Sequence, residues 1–161
     1  MSSFNRRTLL MLPLALAACG FSPVYAPGGN GDLLDGKIEV SAPDSPNTYL
    51  LVRNLEGNLG RAANPEYKLN VSLSTRTQGQ AITADNSILR YAIVGRVNYA
   101  LIRVATGDVV SSGDVSNFVG YSATGSTVET LASEKDANKR LMVILADQLT
   151  TELYSLPDLT T

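Results

Sequence analysis

The sequence predicts an α+β fold, a two-layer sandwich in which a mostly antiparallel four-stranded sheet carries two helices on one face, in the order β-α-β-β-β-α. Three observations predict it. Tyr67-Lys68-Leu69-Asn70-Val71-Ser72-Leu73-Ser74 alternates strictly between large apolar and polar residues, as a sheet with one buried and one wet face requires. A longer alternation follows from about Ile88 to Val104, with a hairpin signal behind it. Finally, Leu141, Leu145, Leu149 and Leu153 recur every fourth residue, the stripe of a helix lying on a core.

The chain opens with Met1 to Asn5 and Arg6-Arg7, continues through a short apolar run from Thr8 to Leu16 and reaches the small residues Ala17-Ala18 before Cys19. A basic region, an apolar region and a small-residue cleavage region make an export signal over residues 1–18. The apolar run falls short of the ~20 residues of a spanning helix, and Pro13 interrupts it. Arg6-Arg7 resembles a twin-arginine signal, but Asn5 stands where a serine or threonine is usual, which favours the general secretory route.

Cys19 is the only cysteine of 161 residues. A thiol nucleophile needs a base, and the sequence contains no histidine. Leu16-Ala17-Ala18-Cys19 instead resembles a bacterial lipobox. That resemblance implies S-diacylglycerol and N-acyl chains on Cys19, a covalent lipid and no other cofactor. Acyl chains gain about 0.8 kcal/mol per buried methylene, so two or three hold a protein on a membrane where one does not. Gly20 stands where an aspartate would mark inner-membrane retention; by the same resemblance the destination is the periplasmic face of the outer membrane.

Residues 19–36 are rich in Pro, Gly, Asn and Asp and read as a flexible tether. One domain is expected over residues 37–156, with a loose polar tail at 157–161 after the break at Pro157. Lys37 to Ser41 alternates as a short first strand, and Pro43 to Asn47 supplies helix N-cap candidates. Tyr49 to Leu59 places Leu51, Val52, Leu55 and Leu59 on one stripe; Gly57 weakens its last turn and Gly60 stops it.

After a polar turn around Thr83 to Asn86, the strand from Ile88 puts Leu89, Tyr91, Ile93, Val97, Tyr99 and Leu101 on one face. Arg90, Ala92, Val94, Arg96, Asn98 and Ala100 take the other. So long a strand is expected to bend or bulge, with Gly95 the natural place. Thr106-Gly107-Asp108 turns the chain into a partner strand from about Val109 to Tyr121, with Val115, Val119 and Tyr121 inward. Ser126 to Glu129 reads as a capping box opening a helical region, strongest over Asn138 to Leu153.

Removal of residues 1–18 leaves 143, enough for one domain with a real core. Loss of Arg6 and Arg7 leaves 11 basic against 15 acidic residues, a formal charge of −4, which gives no support to a nucleic-acid partner. Without a second cysteine there is no internal disulfide. Catalytic arrangements are scarce: histidine-based metal sets and triads are unavailable. Gly120-Tyr121-Ser122-Ala123-Thr124 has Thr where a nucleophile elbow needs its closing Gly. Gly28-Gly29-Asn30-Gly31 lacks the spacing of a phosphate loop. Glu134 and Asp136 belong to a solvated helix side. An enzyme is not expected.

What remains is surface. Arg90, Arg96 and Lys68 occupy the wet face of the sheet, with Arg76 near a strand end. They are either routine charge on an exposed β face or a basic strip suited to anionic lipid phosphates, which arginine binds bidentately.

Cys19-Gly20-Phe21-Ser22-Pro23-Val24-Tyr25 resembles the mature N-terminus of the LptE family of lipopolysaccharide-assembly lipoproteins, especially its alphaproteobacterial branch. The Arg90-Tyr91 strand and the helix with Ala137, Leu141, Leu145-Ala146-Asp147-Gln148-Leu149 look like that family too. The resemblance covers essentially the whole mature chain and agrees with the family's two-layer fold. It implies a plug in the lumen of an LptD-like outer-membrane β-barrel, help in assembling that barrel, and contact with lipopolysaccharide during transfer. Arg90, Arg96 and residues 79–87 are the nearest counterparts, by location, of the family's lipopolysaccharide contacts. A lipoprotein serving an ABC-type lipid transporter shares the signal, tether and α/β domain and remains an alternative, as does a cell-wall-acting enzyme.

Overall fold

A computed structural model describes residues 29–82 and 88–156. The elements are α1 (Asn30–Leu34), β1 (Ile38–Val40), α2 (Pro46–Leu59), β2 (Tyr67–Ile82), β3 (Ile88–Arg103), β4 (Val109–Ser122) and α3 (Thr127–Tyr154). The strands form one sheet in the order β1-β2-β3-β4. β1 and β2 are parallel because α2 carries the chain back to the end from which β1 started. The other two pairings are antiparallel. This is the predicted α+β sandwich, with one parallel pair and a short helix added.

The boundaries of α2 follow from local chemistry. The Ser45 hydroxyl accepts from the Thr48 N–H at 3.2 Å, and Pro46 starts the first turn, where no N–H is needed. Gly60 ends the helix at φ +72°, a conformation that a side chain resists. A Cβ there would also stand 2.7 Å from Asp35 Oδ1 and 2.9 Å from Gly36 N, so glycine is required twice over.

α3 begins with the expected capping box. Ser126 Oγ accepts from the Glu129 N–H at 3.4 Å, and the Glu129 carboxylate accepts from the Ser126 N–H at 2.6 Å. The backbone hydrogen bond from Ser126, followed by its side-chain bond, holds the Glu129 carboxyl below its ordinary value. The helix then runs unbroken for 28 residues, burying Ala137, Leu141, Met142, Leu145, Leu149 and Leu153 against the sheet and α2. Its first ten residues bury nothing fully.

The core lies between this helix layer and one face of the sheet, where Leu69, Ile93, Val97 and Leu101 are essentially inaccessible. Asn47 Nδ2 donates to Asn138 Oδ1 at 3.2 Å, and Asn58 Nδ2 to Asp147 Oδ1 at 2.9 Å, tying the two long helices together.

Four expectations need correction. Residues 29–36, assigned to the tether, belong to the fold. Leu34 of α1 is fully buried, Gly36 N–H donates to Leu59 O at 2.8 Å, and Asn30 Nδ2 donates to Tyr154 O at 3.2 Å and to Leu156 O. A single helical turn is too short to show periodicity, and its stability is tertiary. β2 continues eight residues past Ser74, because β3 pairs with it throughout.

Gly95, the expected bulge, lies in unbroken register between Thr75 and Asn117; the irregularities fall at residues 79–82 and at Leu101/Ile102. Its purpose is close approach. A Cβ at Gly95 would stand 2.9 Å from Leu145 Cδ1 and 3.1 Å from Leu141 Cδ2, so the absent side chain lets α3 settle onto the sheet. Leu89, expected inward, is 40% exposed, because it lies near the strand end. The turn expected at Thr83 to Asn86 and the tail at 157–161 lie outside the described residues.

Candidate interaction face

The outward residues of β2, β3 and β4 form cross-strand rows, since directly paired residues point to the same side. Ser74, Arg96 and Ser116 make one row; Arg76, Val94 and Phe118 the next; Gln78, Ala92 and Gly120 a third; and Arg90 stands opposite Ser122 beyond it. Three of the four predicted basic residues therefore gather around the Val94–Phe118 step. Lys68 does not join them. It pairs with Ile102, six residues from Arg96 along β3, roughly 20 Å away.

Each arginine is held differently. Arg96 Nη1 lies 3.4 Å from Asp114 Oδ2, both side chains being about half exposed. With the Gln78 amide turned so that its oxygen faces the guanidinium, that oxygen accepts from Arg76 Nη2 at 2.8 Å and Nε at 3.0 Å. Arg90 lies across Gly120, whose Cβ would stand 3.6 Å from Arg90 Nε. Arg76, Arg90 and Arg96 are all exposed.

Sequence reasoning missed Phe118. It is 66% exposed at the middle of the arginine field. The signal was present: in β4, Val115, Val119 and Tyr121 keep the inward phase, and an aromatic residue occupies the outward one. On the inward face the corresponding aromatic residues are used for packing. Tyr91 and Tyr121 stack with ring centroids 5.5 Å apart, and burial, then Glu134 and Tyr91, pushes the Tyr121 phenol above its ordinary value.

Other singled-out residues carry no chemistry of their own. Asp136 accepts from Arg140 Nε at 2.9 Å, an i,i+4 pair on the exposed side of α3. Among the described residues no three His, Cys, Asp or Glu side chains are grouped to hold a metal ion, and no helix is long and apolar enough to cross a membrane. The lipobox residues Leu16, Ala17 and Ala18, with Cys19, lie outside the described residues.

A sheet covered by helices on one side and bare on the other makes this a small α+β sandwich, a fold that solved bacterial lipoproteins share. A predicted lipoprotein of Caulobacter crescentus superimposes with a TM-score of 0.65 at 22% identity, over 78% of this chain and 93% of its own. Lipoprotein B of Nitrosomonas europaea gives 0.61 at 13% identity, over 84% and 91%. Rare lipoprotein B of Shewanella oneidensis gives 0.56 at 15% identity, over 74% and 92%. At these identities the likeness is one of fold. No family model and no curated protein matches the chain.

Proposed function

We propose that this chain is a non-enzymatic outer-membrane lipoprotein of LptE type, anchored through Cys19. It fills the lumen of an LptD-like lipopolysaccharide-translocating barrel, assists the assembly of that barrel and meets lipopolysaccharide there. The observation that carries this reading is the bare sheet face. Across the sixteen-residue β3 and its two long neighbours, Leu69, Ile93, Val97 and Leu101 are buried on one side, while Arg76, Arg90, Arg96 and Asn98 stand exposed on the other. A barrel lumen is a polar wall, and such a wall accepts a polar face without desolvating an apolar one. The fold shared with solved bacterial lipoproteins and the resemblance of residues 19–25 support the same reading. We assign the lipid-phosphate contacts to Arg76, Arg90 and Arg96, which lie on neighbouring cross-strand rows, with Lys68 standing apart from them.

The test is affinity capture of the full chain from detergent-solubilised envelope, with mass spectrometry of its N-terminus. Recovery of a large β-barrel protein in near-equal amount, with diacylglyceryl-cysteine at Cys19, is the expected result. Recovery of an ABC transporter would shift the assignment to lipid import or export at the inner membrane. An unmodified Cys19 would remove the anchor. Cys19→Ala is expected to abolish both lipid attachment and processing at that position.

A further inference from the structure

We propose that the outer face of the sheet, before any barrel wall covers it, docks directly on an anionic phospholipid surface, as a second attachment beside the acyl anchor. The inference depends on neither the barrel nor lipopolysaccharide.

Charge segregation is the first observation. The outward positions of the sheet carry Lys68, Arg76, Arg90 and Arg96 against two acids, Asp114 and, beside Lys68, Glu39, in a chain of net charge −2. On the opposite side, α3 presents Glu129, Asp136, Asp147 and Glu152 to solvent, with three basic residues among five acidic ones in all. An anionic surface therefore attracts one broad face and not the other, which orients the molecule as well as binding it.

Composition of the face is the second. Over residues 68–78 of β2 and 90–100 of β3 the outward residues other than Val94 are polar, basic or alanine, yet Phe118 stands 66% exposed between Arg76, Arg90 and Arg96. An aromatic ring among guanidinium groups matches the headgroup level of a bilayer. The ring enters the apolar boundary while the guanidinium groups pair with phosphates.

Shape is the third. Among the described residues no second layer covers this face, so the basic residues lie along one side of strands 14 and 16 residues long. From Lys68, opposite Ile102, to Arg90 the strip extends about 40 Å along β3. The described chain starts at Gly29, where α1 meets the C-terminal end of α3 through Asn30 and Tyr154. The ten residues from Cys19 reach at most about 35 Å. An acylated chain thus keeps the face at high local concentration over its own bilayer, where individually weak contacts suffice.

The experiment uses the mature chain with Cys19→Ser, so that no acyl chain contributes. Co-sedimentation is measured with vesicles of phosphatidylethanolamine and phosphatidylglycerol, and with neutral phosphatidylcholine vesicles. Binding is expected to the anionic vesicles alone and to weaken as salt rises. Arg76→Gln with Arg90→Gln should lower partitioning roughly thirtyfold, from the attraction of two surface charges. Phe118→Ala should lower it severalfold while leaving the salt dependence unchanged. Thermal melts matching the parent chain show that both variants fold. Equal binding to neutral vesicles, no binding to anionic ones, or full affinity in the folded double variant would overturn the inference. Binding to purified lipopolysaccharide without binding to phosphatidylglycerol vesicles would overturn it and leave the proposed function standing. Vesicle binding without barrel capture would do the reverse.

Discussion

Along β3 the odd- and even-numbered residues live in different worlds. Ile93, Gly95, Val97, Tyr99 and Leu101 are buried under α3 and α2, where Gly95 is set by contact distances of about 3 Å. Arg90, Arg96 and Asn98, one peptide unit away, are exposed and constrained by little more than charge. Side chains on opposite faces of a strand share a backbone but no neighbours, so one face answers to close packing and the other to solvent. The inward face therefore determines whether the protein folds, and the outward face what it touches.

That division is sharpest at Leu145. It is fully buried in α3 and sits over Gly95. Leu145→Asp is expected to abolish folding, because an unpaired carboxylate would stand in the core. Leu145→Ala should cost roughly 2–5 kcal/mol by chemical denaturation. A change near zero for both would mean that the inward face does not carry the stability assigned to it.

Gly95→Ala reverses the experiment by adding an atom. The new Cβ would meet Leu145 and Leu141 inside contact distance, and overpacking of this kind typically costs about 1–3 kcal/mol. A neutral result would show that α3 can lift off the sheet without penalty. The stability gained by the paired substitution Gly95→Ala/Leu145→Ala over the sum of the single costs would measure that contact directly.

Ser126→Ala removes one half of the capping box at a solvated helix end and should cost about 1 kcal/mol. The other half is pH-dependent. Glu129 is held below its ordinary carboxyl value in the folded protein. Its contribution is therefore fully present above the unfolded value and is lost as pH falls through the depressed folded one. Glu129→Gln should flatten that acid limb of the stability profile by lowering the neutral-pH plateau toward the acid level, leaving stability at low pH nearly unchanged.

The smallest effect belongs to the outward face. Arg96→Gln breaks an ion pair of 3.4 Å between half-exposed groups, worth between zero and about 1 kcal/mol. Thermal melting should barely move. A loss as large as that of Leu145→Ala would erase the distinction between the two faces.

Much of this was legible before any coordinates. Strict alternation at Tyr67 to Ser74 and the leucines of α3 report their own burial, because periods of two and of about 3.6 follow from backbone geometry. Ser126 to Glu129 announced its capping box for the same local reason. Less legible were features that depend on another segment. α1 holds its place through Leu59, Tyr154 and Leu156, none of which its own five residues encode. The far half of β2 exists as strand because β3 lies alongside it, and Gly95 acquires its meaning from a helix fifty residues later.

The candidate face divides in the same way. Sequence phase alone put Arg90 and Arg96 on the wet side and placed Lys68 there with them. Only register separated Lys68 from the cluster, brought Arg76 beside Val94 and set Phe118 among the arginines. By itself the sequence determined which residues turn inward and which outward, since that choice is made by local backbone periodicity. Which outward residues become neighbours was decided by the tertiary structure, because a strand carries no information about its partner's register until the core beneath both has closed.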